Sequence, residues 1–277
     1  MSDGARAAAL AAGFDIESGA AGSTRPGGEA IGYRAVDMDA GEAQAAGAGG
    51  DSTVVGGTWF YTVRDGMPMF CNTGFNGTDR DGNVVNITGS HCDRTDSDSG
   101  ESLDTVAREI RVARMLPVTP GQFSASTLGP EVGELQVPVD PAVDHRIIRI
   151  GDAAAARFRN NLIGVRDGVP IAIDGIADPV LGAPVCKSGG VTGFACGIVT
   201  SVDEEYTNNQ GTYRHGAIAS IFLSPGDSGG PLISGTKAVG IAGNVGGSVK
   251  RPVFNALTFQ PIRAILDANP GLRLRTD

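Results

Sequence analysis

The sequence predicts an all-β fold of antiparallel strands. Short runs rich in β-branched residues recur between Gly, Asn, Asp and Pro, and few segments keep the spacing of an amphipathic helix. Glycine supplies 42 of the 277 residues, about twice its average usage of roughly 7%. One helix is predicted near the C-terminus, where Ile262, Ile265 and Leu266 have helical spacing and the Asn-Pro-Gly sequence that follows ends the helix.

The length and net charge of the chain exclude some classes of function. A chain of 277 residues can bury a sizeable core in one or two domains. The net charge of −9 argues against a nucleic-acid partner, because phosphate binding needs clustered Lys and Arg. No apolar run is long enough to span a membrane, and "ARAAALAAG" is too short for a signal peptide. Residues 1–52 are rich in Ala and Gly and are predicted to be an extension or the tail of a pro-region.

The stretch "LSPGDSGGPLI" contains the candidate nucleophile, Ser228. Gly226, Gly229 and Gly230 around it allow a contorted loop whose N–H groups point at one place. Acyl transfer needs such donors, because the oxyanion of the tetrahedral intermediate must be stabilised. The alternative interpretation is an ordinary glycine-rich turn, so the loop needs a base nearby.

Three histidines are the candidate bases. His91 follows a β-rich stretch and precedes Cys92, which could fix the backbone beside the ring. His145 directly follows Asp144, and because neighbouring strand residues face opposite sides, we expect His145 to face solvent. His215 lies in a polar stretch and is expected to be a loop residue.

A general base needs a carboxylate that holds its tautomer. Asp144 precedes the apolar residues Ile147, Ile148 and Ile150, where a lone acid should have a partner. The alternative is an Asp that initiates a turn after Pro141. The three candidates follow one another in the order His, Asp, Ser.

Seven stretches in chain order match one family: "VVGGTWFY", "CNTGF", "TGSHC", "DHRIIRI", "VCKSGGVTGFACGIVTSV", "PGDSGGPLISGTKAVGI" and "TFQPI". From residue 54 onward the chain resembles the chymotrypsin-like serine proteases, above all the bacterial streptogrisin and α-lytic branch. The resemblance implies two packed antiparallel six-stranded β-barrels with a C-terminal helix. The first barrel would span residues 53–165 and the second residues 166–277.

The resemblance also implies the roles of the site residues. His91 would be the base, Asp144 would orient it and Ser228 would be the nucleophile. The N–H groups of Gly226 and Ser228 would form the oxyanion hole. The implied protein is a secreted or extracytoplasmic endopeptidase that acts on peptides or proteins without a cofactor or metal. The alternatives are a weakened homologue that acts as a binding module and an esterase with the same triad.

The four cysteines fall into two local pairs, Cys71 with Cys92 and Cys186 with Cys196. The first pair would staple the strand that carries His91, and the second would close a glycine-rich hairpin. Disulfides persist outside the reducing cytosol, which favours an exported protein. A zinc site is the rival use of four cysteines, but no C-x₂-C spacing occurs.

The substrate-binding residues follow from the resemblance alone. They are expected to be Ser220, Ile221, Gly243, Asn244, Val245 and Ala256. None is acidic, so we expect an apolar or small residue before the scissile bond. Gly243 stands where relatives have a serine that supports the triad aspartate, and we expect that hydrogen bond to be lost.

Asp227, the acid before the candidate nucleophile, needs a cationic partner if it is buried. The "VCKSGG" stretch resembles the streptogrisin branch and points to Lys187. The "VVGG" stretch offers an alternative, a Val54 amine freed by cleavage. We favour Lys187, since the hairpin matches that branch.

Overall fold

A computed structural model describes residues 43–44, 53–64, 67–92, 106–115, 123–165, 168–208, 211–245 and 256–277. These residues form two large curled sheets, and the predicted all-β, two-barrel fold is confirmed. Except for residues 43–44, the predicted N-terminal extension lies outside the described residues. No helix in the described ranges is long and apolar enough to cross a lipid bilayer.

The first sheet carries the predicted histidine and aspartate. Its early strands are β1 (Ala43–Gln44), β2 (Trp59–Arg64), β3 (Met67–Asn72), β4 (Phe75–Thr78), β5 (Val84–Thr88), β6 (Val106–Met115), β7 (Phe123–Gln136) and β8 (Arg146–Ile150). Strand pairing follows the path β4–β5–β8–β7–β6–β2–β3, and β1 pairs with β6. β3 and β4 are consecutive in the chain and count as one bent strand. The path therefore returns to its start and forms a barrel of six strands.

The second sheet carries the predicted nucleophile. Between the barrels, β9 (Leu162–Ile163) pairs with β10 (Ile171–Ala172). The strands that follow are β11 (Gly175–Ile176), β12 (Pro184–Gly189), β13 (Gly193–Asn208), β14 (Gly211–Ala219), β15 (Pro231–Ser234), β16 (Lys237–Val245) and β17 (Leu257–Pro261). Six of them close a barrel in the order β16–β15–β12–β13–β14–β17, since β17 also pairs with β16. The short β11 adds to β16 in parallel.

Three apolar clusters form the core. One fills the first barrel around Phe60, Ile148 and Phe158, and another fills the second around Leu232 and Phe259. The third contains buried side chains from both sheets: Phe75, Ile87, Ile163, Cys186, Ile233, Ile241 and Ile262. This shared cluster fixes how the barrels face each other across the cleft.

The predicted C-terminal helix is present. The helices are α1 (Asp152–Ala155) and α2 (Ile262–Ala268), with 3₁₀ turns at Ser90–Cys92 and Ala156–Phe158. Ile262 and Ile265 of α2 are fully buried in the shared cluster, as their spacing predicts. After the helix, β18 (Arg273–Leu274) pairs with β4. The segment predicted as the second barrel, residues 166–277, therefore includes one strand, β18, that belongs to the first sheet.

Candidate active site

The loop that carries Ser228 is held in a tight turn. Gly226 and Gly229 have φ values of +95° and +80°, a region that side chains rarely adopt. The N–H of Asp227 donates to Ser224 O at 2.9 Å, and that of Gly229 donates to Ala242 O at 2.9 Å. Ser228 itself is partly exposed. The loop thus presents the Ser228 side chain at the surface of the second barrel.

Two amides of this loop stay unused. The N–H groups of Asp227, Gly229 and Gly230 each donate to a backbone carbonyl. Within the described parts of the chain, the N–H groups of Gly226 and Ser228 have no acceptor. These are the two donors that the resemblance assigns to an oxyanion hole.

Asn72 holds the loop from the first barrel, and sequence analysis missed this residue. Its side-chain nitrogen donates to Gly226 O at 2.5 Å, and its backbone N–H donates to Ser228 O at 2.8 Å. Its side-chain oxygen accepts from Gly190 N at 2.8 Å. Asn72 is fully buried at the end of β3, so the directions of both carbonyls are fixed across the cleft.

Asp227 forms a buried ion pair with Lys187. Their side chains are 0% exposed and lie 3.2 Å apart. The carboxylate also accepts from the backbone N–H groups of Val191 and Thr192, from the Thr192 hydroxyl and from Ser224 N. Burial lowers the pKa of Lys187, and the Asp227 charge opposes that shift.

Val54, the alternative partner of Asp227, is engaged elsewhere. Its N–H donates to Arg157 O at 2.9 Å, and its carbonyl accepts from the side chains of Asn76 and Asn160. The residue is buried in the first-barrel cluster. The geometry therefore favours Lys187 as the partner.

His91 lies in the 3₁₀ turn that follows β5. The disulfide between Cys71 and Cys92 fixes this turn, and the second disulfide joins Cys186 and Cys196. Both predicted pairings are present. The Cys71 and Cys92 sulfurs lie near His91, but both are consumed in the disulfide. The two cysteines therefore leave no thiolate to bind a metal.

The inner nitrogen of His91 is buried without a partner. The residue is partly exposed, yet no group in the described structure bonds to Nδ1. Burial lowers the pKa of His91, and the nearby Asp144 charge opposes this. The imidazole is therefore neutral near pH 7 and able to accept a proton.

Asp144 is 1% exposed and is surrounded by donors. Oδ1 accepts from the backbone N–H of Ser90 at 3.0 Å and from its hydroxyl at 2.5 Å. Oδ2 accepts from the Tyr206 hydroxyl at 2.8 Å. Gly243 has no hydroxyl to donate, as expected, and Tyr206 donates to the carboxylate from another strand instead.

The three predicted residues converge without direct hydrogen bonds. An ideal Cβ on Gly89 would lie 3.4 Å from His91 Cε1 and 3.4 Å from Gly229 N, so the imidazole and the Ser228 loop face one point. Among the residues described, no hydrogen bond joins His91 to Ser228 or Asp144. Catalytic hydrogen bonds are often long without substrate and tighten on binding.

The other two histidines lie outside this cluster. His145 was expected to face solvent, but it is fully buried. Its Nδ1 donates to Val143 O at 2.9 Å, and its Nε2 accepts from Asn269 Nδ2 at 2.7 Å. The expectation fails because β8 begins only at Arg146, so strand alternation does not apply to His145. His215 lies in β14 rather than in a loop.

The predicted substrate-binding residues differ in burial and in their contacts. Asn244 N donates to Thr258 Oγ1 at 3.0 Å, and the same hydroxyl donates to Asn244 O. Gly243 is buried beside Asp144. Ile221 and Ala256 are also buried, whereas Ser220 is exposed. Val245 pairs with Leu257 through the backbone, and its side chain lies outside the described structure.

Comparison with known proteins finds similar serine proteases, although no protein-family model matches the chain. Streptogrisin-C of Streptomyces griseus is 38% identical over 106 residues, which are 38% of this chain and 22% of that protein. Serine protease 2 of Streptomyces fradiae is 27% identical over 198 residues, 71% of this chain and 97% of that protein.

A solved structure agrees with these sequence relatives. The crystal structure of Cellulomonas bogoriensis chymotrypsin is 26% identical and superposes with a TM-score of 0.57 over 81% of this chain and 100% of that chain. The fold, the sequence relatives and the structural neighbour lead to one conclusion. The chain is similar in sequence and in fold to the chymotrypsin-like serine endopeptidases, above all to the bacterial streptogrisins.

Proposed function

We propose that this endopeptidase is secreted and cleaves peptide bonds through an acyl-enzyme on Ser228, with His91 as general base and Asp144 as its orienting carboxylate. One observation carries the proposal. The Ser228 loop leaves only the Gly226 and Ser228 N–H groups unpaired among its consecutive described amides 226–230, and it does so where His91 approaches.

The proposed reaction has two halves. Ser228 Oγ attacks the carbonyl carbon of the scissile peptide, and its proton moves to His91 Nε2. The oxyanion that forms accepts hydrogen bonds from the Gly226 and Ser228 N–H groups. His91 then gives the proton to the leaving amine, the C–N bond breaks, and water releases the acyl group by the same steps.

Asp144 would act when His91 is charged. The Nδ1–H of the imidazolium needs an acceptor, and its nitrogen is buried without one in the described structure. Asp144 is the charged group whose field raises the pKa of His91. A small movement that closes the Asp144–Nδ1 bond on substrate binding would stabilise the imidazolium.

The setting of the enzyme is inferred from its cross-links and relatives. Each barrel contains one disulfide, as expected outside the cytosol. The substrate would be a peptide or protein, with an apolar or small residue before the scissile bond, because the candidate pocket residues include no acid.

A second function follows from the missing bonds in the triad. If His91 never pairs with Ser228 or Asp144, the protein is a weakened homologue that binds peptides without cleaving them. The unpaired Nδ1 of His91 is the observation that favours this alternative. The reactivity of Ser228 separates the two functions.

Active-site labelling tests the main proposal. We expect a fluorophosphonate to label the wild-type protein once, at Ser228, and the Ser228→Ala variant to show neither labelling nor peptidase activity. Ser234→Ala is the matched control, since Ser234 lies on β15 and bonds to Pro184 O. A Ser228→Ala protein that still cleaves peptides would refute the proposal, and an unlabelled wild type would favour the binding module.

The pH profile should report the environment of His91. Because burial lowers its pKa from 6.5, the base stays neutral to a lower pH, and the acid limb of kcat/KM should lie below about pH 6.5. In Asp144→Asn the opposing charge is lost, so the limb should move further toward acid. Rates between about pH 4 and pH 8 measure this. A wild-type limb centred above pH 6.5 contradicts the assignment.

Lys187→Met should damage both the stability and the reactivity of the Ser228 loop. It leaves the Asp227 carboxylate buried without its cation, a change that costs about 3–5 kcal/mol. Urea unfolding and the labelling rate of Ser228 measure the two effects. Lys237→Met is the control, because its pair with Asp174 is largely exposed and should contribute little to stability. Equal effects of the two substitutions would refute this role for Lys187.

Substrate preference can be read from peptides that vary only at the residue before the scissile bond. We expect higher kcat/KM for apolar or small residues than for Lys or Arg, since the named pocket residues provide no counter-charge. A clear preference for Lys or Arg would show that another residue lines the pocket.

A further inference from the structure

Gly243 leaves an opening beside the candidate triad carboxylate. A Cβ at this position would lie 2.9 Å from Asp144 Oδ2, 3.2 Å from Thr258 O and 3.3 Å from the Tyr206 hydroxyl oxygen. These distances are tighter than ordinary van der Waals contact. Any side chain at 243 would therefore compete with the Tyr206 hydroxyl for the same space.

Tyr206 occupies this opening from the second barrel. Its hydroxyl donates to Asp144 Oδ2 at 2.8 Å, and its side chain is buried. Burial, together with the Asp144 charge, raises the pKa of Tyr206 well above 10. The hydroxyl thus keeps its proton over the working range of a protease and donates at every such pH.

A second hydroxyl holds the other carboxylate oxygen. Ser90 Oγ lies 2.5 Å from Asp144 Oδ1 and 2.8 Å from the Tyr213 hydroxyl. Because Ser90 has one hydroxyl proton, it donates to the carboxylate and accepts from Tyr213. Two tyrosines therefore act on Asp144, Tyr206 directly and Tyr213 through Ser90.

Both tyrosines come from one hairpin, β13–β14. They face each other across its strands with ring centroids 5.4 Å apart. The pairing shifts register between Ser201 and Glu204 and again between Glu204 and Tyr206. Such bulges redirect side chains next to active sites.

The same hairpin holds strained backbone. Asp203 and His215 have φ values of +55° and +58°, which cost energy for residues other than glycine. Their side chains pair at 2.8 Å across the strands. At Gly216 an added Cβ would collide with the Tyr206 ring. Gly216 therefore leaves the space in which the Tyr206 ring lies as its hydroxyl reaches Asp144.

We propose that Tyr206, assisted by Ser90, is the positioning residue that fixes the Asp144 carboxylate for His91, and that the β13–β14 hairpin is shaped to deliver it. The inference rests on the triad proposed above. It means that a hairpin of the second barrel supplies the hydrogen bond to Asp144 that Gly243 has no side chain to make.

Kinetics of Tyr206→Phe test the proposal. The substitution keeps the ring and removes one hydrogen bond to a charged group, which should lower kcat about tenfold or more and change KM little. Thr207→Val is the matched control, since Thr207 lies next in the same strand and its hydroxyl contacts only Thr212 among the described residues. We expect its kcat to equal that of the wild type.

A titration without turnover gives the second readout. In the Ser228→Ala background, the three histidines can be followed by NMR. Removing the Tyr206 hydroxyl leaves more negative charge on Asp144, so the pKa of His91 should rise relative to Ser228→Ala alone.

The outcomes separate the two proposals. If fluorophosphonate fails to label the wild type, the proposed catalytic function fails. If the wild type is labelled and active but Tyr206→Phe has wild-type kcat, Tyr206 has no positioning role. A lower kcat with an unchanged pKa of His91 would also overturn the inference, because it would reflect general loss of structure.

Discussion

The buried carboxylate of Asp227 is the constraint on which the site depends. It neutralises Lys187 and accepts N–H groups from Val191, Thr192 and Ser224. Those partners lie on the β12–β13 hairpin and on the loop that carries Ser228, so the carboxylate joins the hairpin to that loop. An unpaired charge at this depth would be too costly to keep, and the turn around Ser228 is therefore not free to relax. That fixed turn sets the directions of the Gly226 and Ser228 N–H groups.

The parts of the site that sequence predicts well are those that short stretches determine. The pairing of Cys186 with Cys196 follows from residues within one hairpin, and the resemblance of one short motif points to Lys187 as the partner of Asp227. The C-terminal helix also follows from local spacing. His145 shows the limit, because its expected exposure assumed a strand that begins one residue after it. Its actual partner, Asn269, lies 124 residues away in the sequence.

The support of Asp144 could not be predicted for a similar reason. Comparison of position 243 with relatives correctly indicates that a side chain is missing, yet it says nothing of what fills the space. Tyr206 reaches the carboxylate across a separation of 62 residues and through irregular register that no periodicity reveals. A buried carboxylate must find donors, and here the fold supplies them from a different strand.

The return of β18 to the first barrel affects how the molecule can assemble. All strands of the second barrel are formed by residues between β9 and α2, whereas β18 pairs with β4 near the start of the chain. During synthesis the first barrel therefore lacks this edge contact until residue 274 has emerged. Contacts so distant in sequence slow folding, because the chain must close a large loop before they form. The first sheet is thus completed only when nearly all of the described chain is in place.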